Sequence, residues 1–192
     1  MFNFVSTSKK GIYSTELSRK LGLRQKTCWY FKRKVMRTME SSDKYPLEGN
    51  VDEFFEVGQE DGKKGRGKRH KKLVVFVIEK CGRGISRMYG RVIERTDSKN
   101  LGSFVRSKIK LDVNIRTDKW QGYRPLKSEF KNLTQLSSCK KGGNFPEIHR
   151  VIMLFKAWLR GIHHQVADLQ TYVYEYICRF NRNNINVSIL TT

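Results

Sequence analysis

Asp52 in the triplet VDE, Asp118 in the stretch TDKWQGY, and His149 with Lys156 seven positions later are the residues of this 192-residue chain best suited to chemistry. Carboxylates on adjacent strands of a sheet, joined by a third ligand from a helix packed on that sheet, can converge on divalent metals. Two such metals stabilise the attacking and leaving oxygens of a phosphodiester displacement. Asp52 and Asp118 would be hard oxygen ligands suited to Mg²⁺, which keeps waters and takes substrate phosphate as a further ligand. His149 adds a neutral nitrogen. Lys156, about two helical turns on, points the same way and offers a point charge to a phosphate. Either aspartate alone is commonplace at a strand end or turn; the order of the three segments is the informative feature.

The helix that must carry His149 and Lys156 reads NFPEIHRVIMLFKAWLRG, from Asn144 to Gly161. Pro146 suits a first helical turn, Glu147 suits the positive end of the helix dipole, and Gly161 is a stop signal. Ile148, Val151, Ile152, Phe155 and Leu159 form one apolar stripe for a core. His149, Met153, Lys156 and Arg160 form a second stripe roughly 110° round, at the seam between helix and sheet.

The aspartates need strands. Val51–Val57, Leu73–Glu79 (LVVFVIE) and Ile85–Glu94 (ISRMYGRVIE) read as three successive strands. Ser98–Ile109 follows as a helix with Leu101, Phe104, Val105 and Ile109 on one face, and Val113–Thr117 as a short strand leading into Asp118. Val166–Asn181 closes the chain as an amphipathic helix. The expected architecture is α/β, a mixed sheet covered by helices over residues 51–192.

Ahead of it, residues 1–39 carry the spacing of a helix-turn-helix, with Leu17, Leu21, Leu23, Cys28 and Phe31 apolar and Gly22 at the turn. The second helix, about Gln25 to Met39, presents Arg24, Gln25, Lys26 and Thr27 in its first turn, types suited to base edges and phosphates. Lys32, Arg33, Lys34 and Arg37 are candidates to grip the backbone. Residues 40–50, with Ser, Asp, Pro and Gly, read as a linker. A basic segment between the first two strands, Gly58–Lys72, has seven Lys or Arg in its last ten residues; Lys68, Arg69, Lys71 and Lys72 are its candidate phosphate contacts, joined by Lys156 and Arg160 from the later helix.

Composition agrees with a polyanionic partner. The chain is 38% hydrophobic and 11% aromatic, enough for a core, yet 39 Lys plus Arg against 18 Asp plus Glu give a formal charge of +21 and a pI near 10.1. Double-stranded DNA is the leading partner. No apolar run spans a bilayer, and Met1–Lys10 lacks a secretory core, so a cytoplasmic, nucleoid-associated place is expected. Cys28, Cys81, Cys139 and Cys178 form no Cys-x-x-Cys pair, which argues against a zinc ribbon or a disulfide framework.

The helix-turn-helix, VDE, TDKWQGY, FKAWLRGIHHQV and YEYICRFNRNN, in this order, resemble a bacterial insertion-sequence transposase of the DDE superfamily. The group has an Asp, Asp, variable third residue and Lys as its signature, and the resemblance spans about Ser8 to Asn184. It implies an RNase H-like catalytic domain, with Asp52 and Asp118 at the aspartate positions, His149 at the variable third and Lys156 at the lysine. It further implies two Mg²⁺ or Mn²⁺ ions per active site, hydrolysis at transposon ends to free a 3′-hydroxyl, attack of that hydroxyl on target DNA, and a homo-oligomer holding two ends. Relatives commonly carry a zinc ribbon before the helix-turn-helix, and here only a dozen residues precede Tyr13. Trp120 and Tyr123 are expected to pack in the core, with base stacking as the alternative role. His163 and His164 are expected to serve packing or backbone contact rather than metal. Two other functions use the same features: a non-catalytic helix-turn-helix DNA-binding protein derived from a transposase, and an RNase H-like nuclease that cuts without strand transfer.

Overall fold

The computed structural model describes residues 4–5, 8, 11–40, 45–57, 73–82, 84–95, 97–137, 143–162 and 168–188, the side chains of 53–57, 162 and 183–188 excepted. Its centre is a five-stranded sheet of β1 (Asn50–Val57), β2 (Leu73–Cys81), β3 (Gly84–Ile93), β4 (Ile115–Asp118) and β5 (Leu133–Leu136), in the order β3-β2-β1-β4-β5. β1, β2 and β3 form an antiparallel meander, while β4 lies parallel to β1 and β5 parallel to β4. That order and mixed polarity, with helices on both faces, make the domain an RNase H-like α/β fold.

β2 shows why its sequence lacks polar alternation: both of its faces are covered. Val75 and Val77 face a core built with Leu101, Phe104 and Val105 of the crossover helix α3 (Ser98–Lys108). Val74, Phe76 and Ile78 face the opposite core, built with Ile148, Val151, Ile152 and Phe155 of α4 (Pro146–Ile162) and Val173 and Ile177 of α5 (Leu169–Ser188). Burying side chains of this size contributes roughly 1.5–3 kcal/mol each, so this bilayered packing, not local propensity, fixes the strand. Asp97 caps α3 by accepting the Asn100 N–H at 2.9 Å. Gly90 on β3 permits the approach of α5, since a Cβ there would lie 2.9 Å from Phe76 Cδ1 and 3.2 Å from Ile177 Cδ1.

The N-terminal helices α1 (Ser14–Leu21) and α2 (Gln25–Arg37) meet through Gly22, whose φ of 65° is the left-handed conformation the turn requires. Val5, Ile12, Leu17, Cys28 and Val35 form a small core of their own. This unit docks on α5. Arg33 pairs with Asp168 at 2.7 Å, Arg179 donates to the Val5 carbonyl at 2.7 Å, and Lys32 lies 3.9 Å from the wholly buried Glu175. Lys32 is itself buried, and burial pulls its ammonium below the usual lysine range despite the attraction of Glu175. Lys32 is therefore not a backbone grip, and Arg33 is engaged within the chain; Lys34 and Arg37 stay exposed, Arg37 within 3.8 Å of Asp168.

The linker reading of residues 40–50 also needs revision over 45–50. Leu47 is fully buried and joins Ile109 in an isolated parallel bridge, with its N–H donating to the Lys108 carbonyl at 2.7 Å. Leu47 supplies apolar surface to the α3 core, and this outweighs the turn-forming residues around it. Glu48 and Gly49 donate their N–H groups to Glu79 at 2.9 and 3.1 Å. Among the described residues no helix is long and apolar enough to cross a membrane.

Candidate active site

The site starts from strand register. Asp52 on β1 stands opposite Arg116 on the parallel neighbour β4, and Asp118 lies two residues beyond Arg116. Side chains alternate with period two, so Asp52, Arg116 and Asp118 share one face of the sheet. Asp52 is also opposite Ile78, which belongs to the core under α4, so this is the face that α4 covers. Asp118 is the last residue of β4, inside the ladder rather than just past it.

Asp52 is 0% exposed and sits among cations. Arg116 grips it with both arms of the guanidinium, Nε to Oδ1 at 2.7 Å and Nη2 to Oδ2 at 2.8 Å. Lys80 Nζ lies 3.8 Å from Oδ2 and 3.2 Å from Glu147 at the start of α4. Asp118 accepts the Trp120 N–H at 3.1 Å, and Gln135 of β5 donates to the carbonyls of Asp118 and Trp120 at 3.2 and 3.0 Å, fixing the segment after the strand. Burial pushes the Asp118 carboxyl above the usual aspartate range, against the opposing pull of the Trp120 N–H. A desolvated carboxylate of this kind gains from a nearby cation.

On α4, Ile148, Val151, Ile152 and Phe155 are buried, as the apolar stripe requires. His149, in the first turn, and Lys156 are half-buried; Arg160 is exposed, and Met153 between them is 70% exposed. The second stripe thus runs along the edge of the helix where it leaves the sheet. Tyr123 is wholly buried, whereas Trp120 is 43% exposed, so the packing role falls to Tyr123 alone of the pair.

Asp52 and Asp118 offer hard oxygens on one face, a donor chemistry that fits a divalent cation with waters completing its shell. Among the described residues no group of three or more His, Cys, Asp and Glu side chains is gathered closely enough to hold a metal ion. Both oxygens of Asp52 are bonded to Arg116, with Lys80 close by. Neither cation was singled out from the sequence, where Arg116 reads only as a polar position of an alternating strand.

Arg24, Gln25, Lys26 and Thr27 are all exposed at the start of α2, with Gln25 also donating to Ser14 Oγ at 3.3 Å. Trp29 and Tyr30, exposed on the same helix, meet edge to face at 5.0 Å. Lys68, Arg69, Lys71 and Lys72, like Cys139, His163, His164 and Val166, lie outside the described residues.

Comparison with known proteins bears on the whole arrangement. No curated protein matches the chain. Among solved structures, the crystal structure of a pre-cleavage Mos1 transpososome aligns over 94% of this chain and 74% of that one, at 11% identity and a TM-score of 0.28. Residues 41–181, which hold Asp52, Asp118, His149 and Lys156, match the ISXO2-like transposase domain. The chain belongs to the ISXO2-like transposase domain family.

Proposed function

We propose that this protein is a DNA transposase that hydrolyses phosphodiesters at transposon ends and joins the freed 3′-hydroxyls to target DNA. The observation that carries the proposal is the common face of Asp52 and Asp118 on adjacent parallel strands beneath the helix bearing His149 and Lys156. Asp52, Asp118 and His149 are the residues to hold Mg²⁺ or Mn²⁺, and the ions when bound would supply charge stabilisation to the attacking and leaving oxygens. Lys156, half-buried two turns from His149, holds a DNA phosphate beside the carboxylates, and exposed Arg160 extends that contact along the helix. Arg24, Gln25, Lys26 and Thr27 read the transposon end, and Lys68, Arg69, Lys71 and Lys72 add phosphate contacts. A homo-oligomer joining two ends completes the reading.

The test uses a donor plasmid carrying the gene with its native flanking DNA, incubated with the full chain, Mn²⁺ and a target plasmid. Cleavage at the borders with 3′-hydroxyl ends and joined donor–target products are expected. Cleavage without joining would replace the transposase with a nuclease. Metal-independent binding of one duplex with no cleavage would leave a DNA-binding protein only.

A further inference from the structure

The Asp52 carboxylate is held among cations of the chain itself. It is wholly buried on the central strand, where an uncompensated charge is expensive, and the chain compensates it with its own cations. Arg116 is aligned for this by backbone register alone, directly across the parallel ladder. Its fork uses both oxygens of Asp52, at 2.7 and 2.8 Å, and the same Nη2 reaches the Asn144 carbonyl at 3.3 Å just before α4. The guanidinium also stands over the Phe145 ring, 5.6 Å from its centre. Arg116 therefore ties β1, β4 and the entry to α4 to one another.

We infer that Arg116 is the resident counter-ion of Asp52 and that a divalent cation binds there only by displacing it. This inference rests on the proposed metal role of Asp52. A dication beside Asp52 competes with Arg116 for the same two oxygens, and would meet a full positive charge at hydrogen-bond range. The guanidinium has somewhere to go. Its side chain is 36% exposed and lines an open cleft of about 550 Å³ in which Asn50, Asn114, Asn132 and Thr134 offer polar groups beside Gly82 and Ile115. Released there, a guanidinium is a bidentate ligand for phosphate, so loading of Asp52 and exposure of an anion-binding group are one event. By linkage, whatever weakens the Arg116–Asp52 pair tightens the metal by the same factor.

The experiment measures Mn²⁺ binding to the full chain by isothermal titration, at one pH and salt, for wild type, Arg116→Gln, Arg116→Lys and Asp52→Asn, with thermal melting of each in and out of Mn²⁺. Arg116→Gln should bind Mn²⁺ about tenfold more tightly or better. Its Tm should fall below wild type without metal and rise further than wild type's with it. Arg116→Lys, which keeps the charge but loses the fork, should fall between. Should the Gln variant fail to fold without metal, the Lys variant carries the comparison, and affinity equal to or weaker than wild type overturns the inference. Asp52→Asn separates the two levels: unchanged Mn²⁺ affinity in that variant sinks the metal role of Asp52 itself. Lost affinity there, with no gain on substituting Arg116, sinks the displacement alone.

Discussion

In the proposed role His149 takes the variable third ligand position, and imidazole differs from carboxylate by a full negative charge. A neutral nitrogen lowers affinity for a hard cation and favours the softer, more nitrogen-tolerant Mn²⁺. Turnover should therefore be greater in Mn²⁺ than in Mg²⁺, measured as DNA nicking at matched metal concentration; equal or better turnover in Mg²⁺ would contradict this role of His149. The two aspartates were singled out because each sits in a distinctive triplet or heptad beside an apolar strand. Arg116 was not, because an arginine inside IRTD reads as the polar half of an alternating strand. Only the register with β1 reveals that it faces a buried carboxylate. Lys32 erred the other way: on a basic helix it reads as a DNA grip, and tertiary contact with Glu175 internalises it.

At the level of elements, the start of β1 is held by Glu79 of β2. Its Oε1 accepts the N–H groups of Glu48 and Gly49, while Oε2 accepts Ser86 Oγ at 2.6 Å and Arg87 Nε at 3.1 Å. Burial alone would raise its carboxyl, but the bonds from Arg87, Ser86 and the two backbone N–H groups outweigh it and bring the pKa down to about 2. With a folded pKa below the ordinary 4.5, the carboxylate stabilises the fold fully above that value, and the contribution fades as pH falls through about 2. Glu79→Ala should cost about 1–3 kcal/mol at neutral pH, since it strands N–H groups. The stability gap between wild type and Glu79→Gln, from urea unfolding, should narrow between pH 5 and pH 2; a gap constant across that window would refute the clamp. The strands and helices with long apolar patterns were legible. β5 and the 3-10 helix Gln121–Ser128 were not, because four residues of LTQL carry too little pattern and QGYRPLKS holds both Gly and Pro. The fourth strand was read as Val113–Thr117 but runs Ile115–Asp118: Val113 is buried, yet the ladder begins where Ile115 meets Val51.

Over the whole molecule, a charge of +21 on 192 residues sets long-range behaviour. Affinity for duplex DNA should fall steeply with salt, with a log–log slope of about −0.9 for each phosphate neutralised. A nearly flat dependence in a filter-binding or anisotropy titration would remove nucleic acid as the partner. The packing of the N-terminal helices on α5 was not legible in the sequence. The Arg33–Asp168 and Lys32–Glu175 pairs join residues some 140 positions apart, beyond any local pattern. The central claim is that metal-dependent strand cleavage occurs at the face shared by Asp52 and Asp118. Mn²⁺-dependent nicking of supercoiled plasmid by wild type and by Asp118→Ala, with folding checked by thermal melting, tests it most directly. Nicking by wild type that disappears in a folded Asp118→Ala protein is the predicted result, and nicking that persists undiminished in that variant would contradict it.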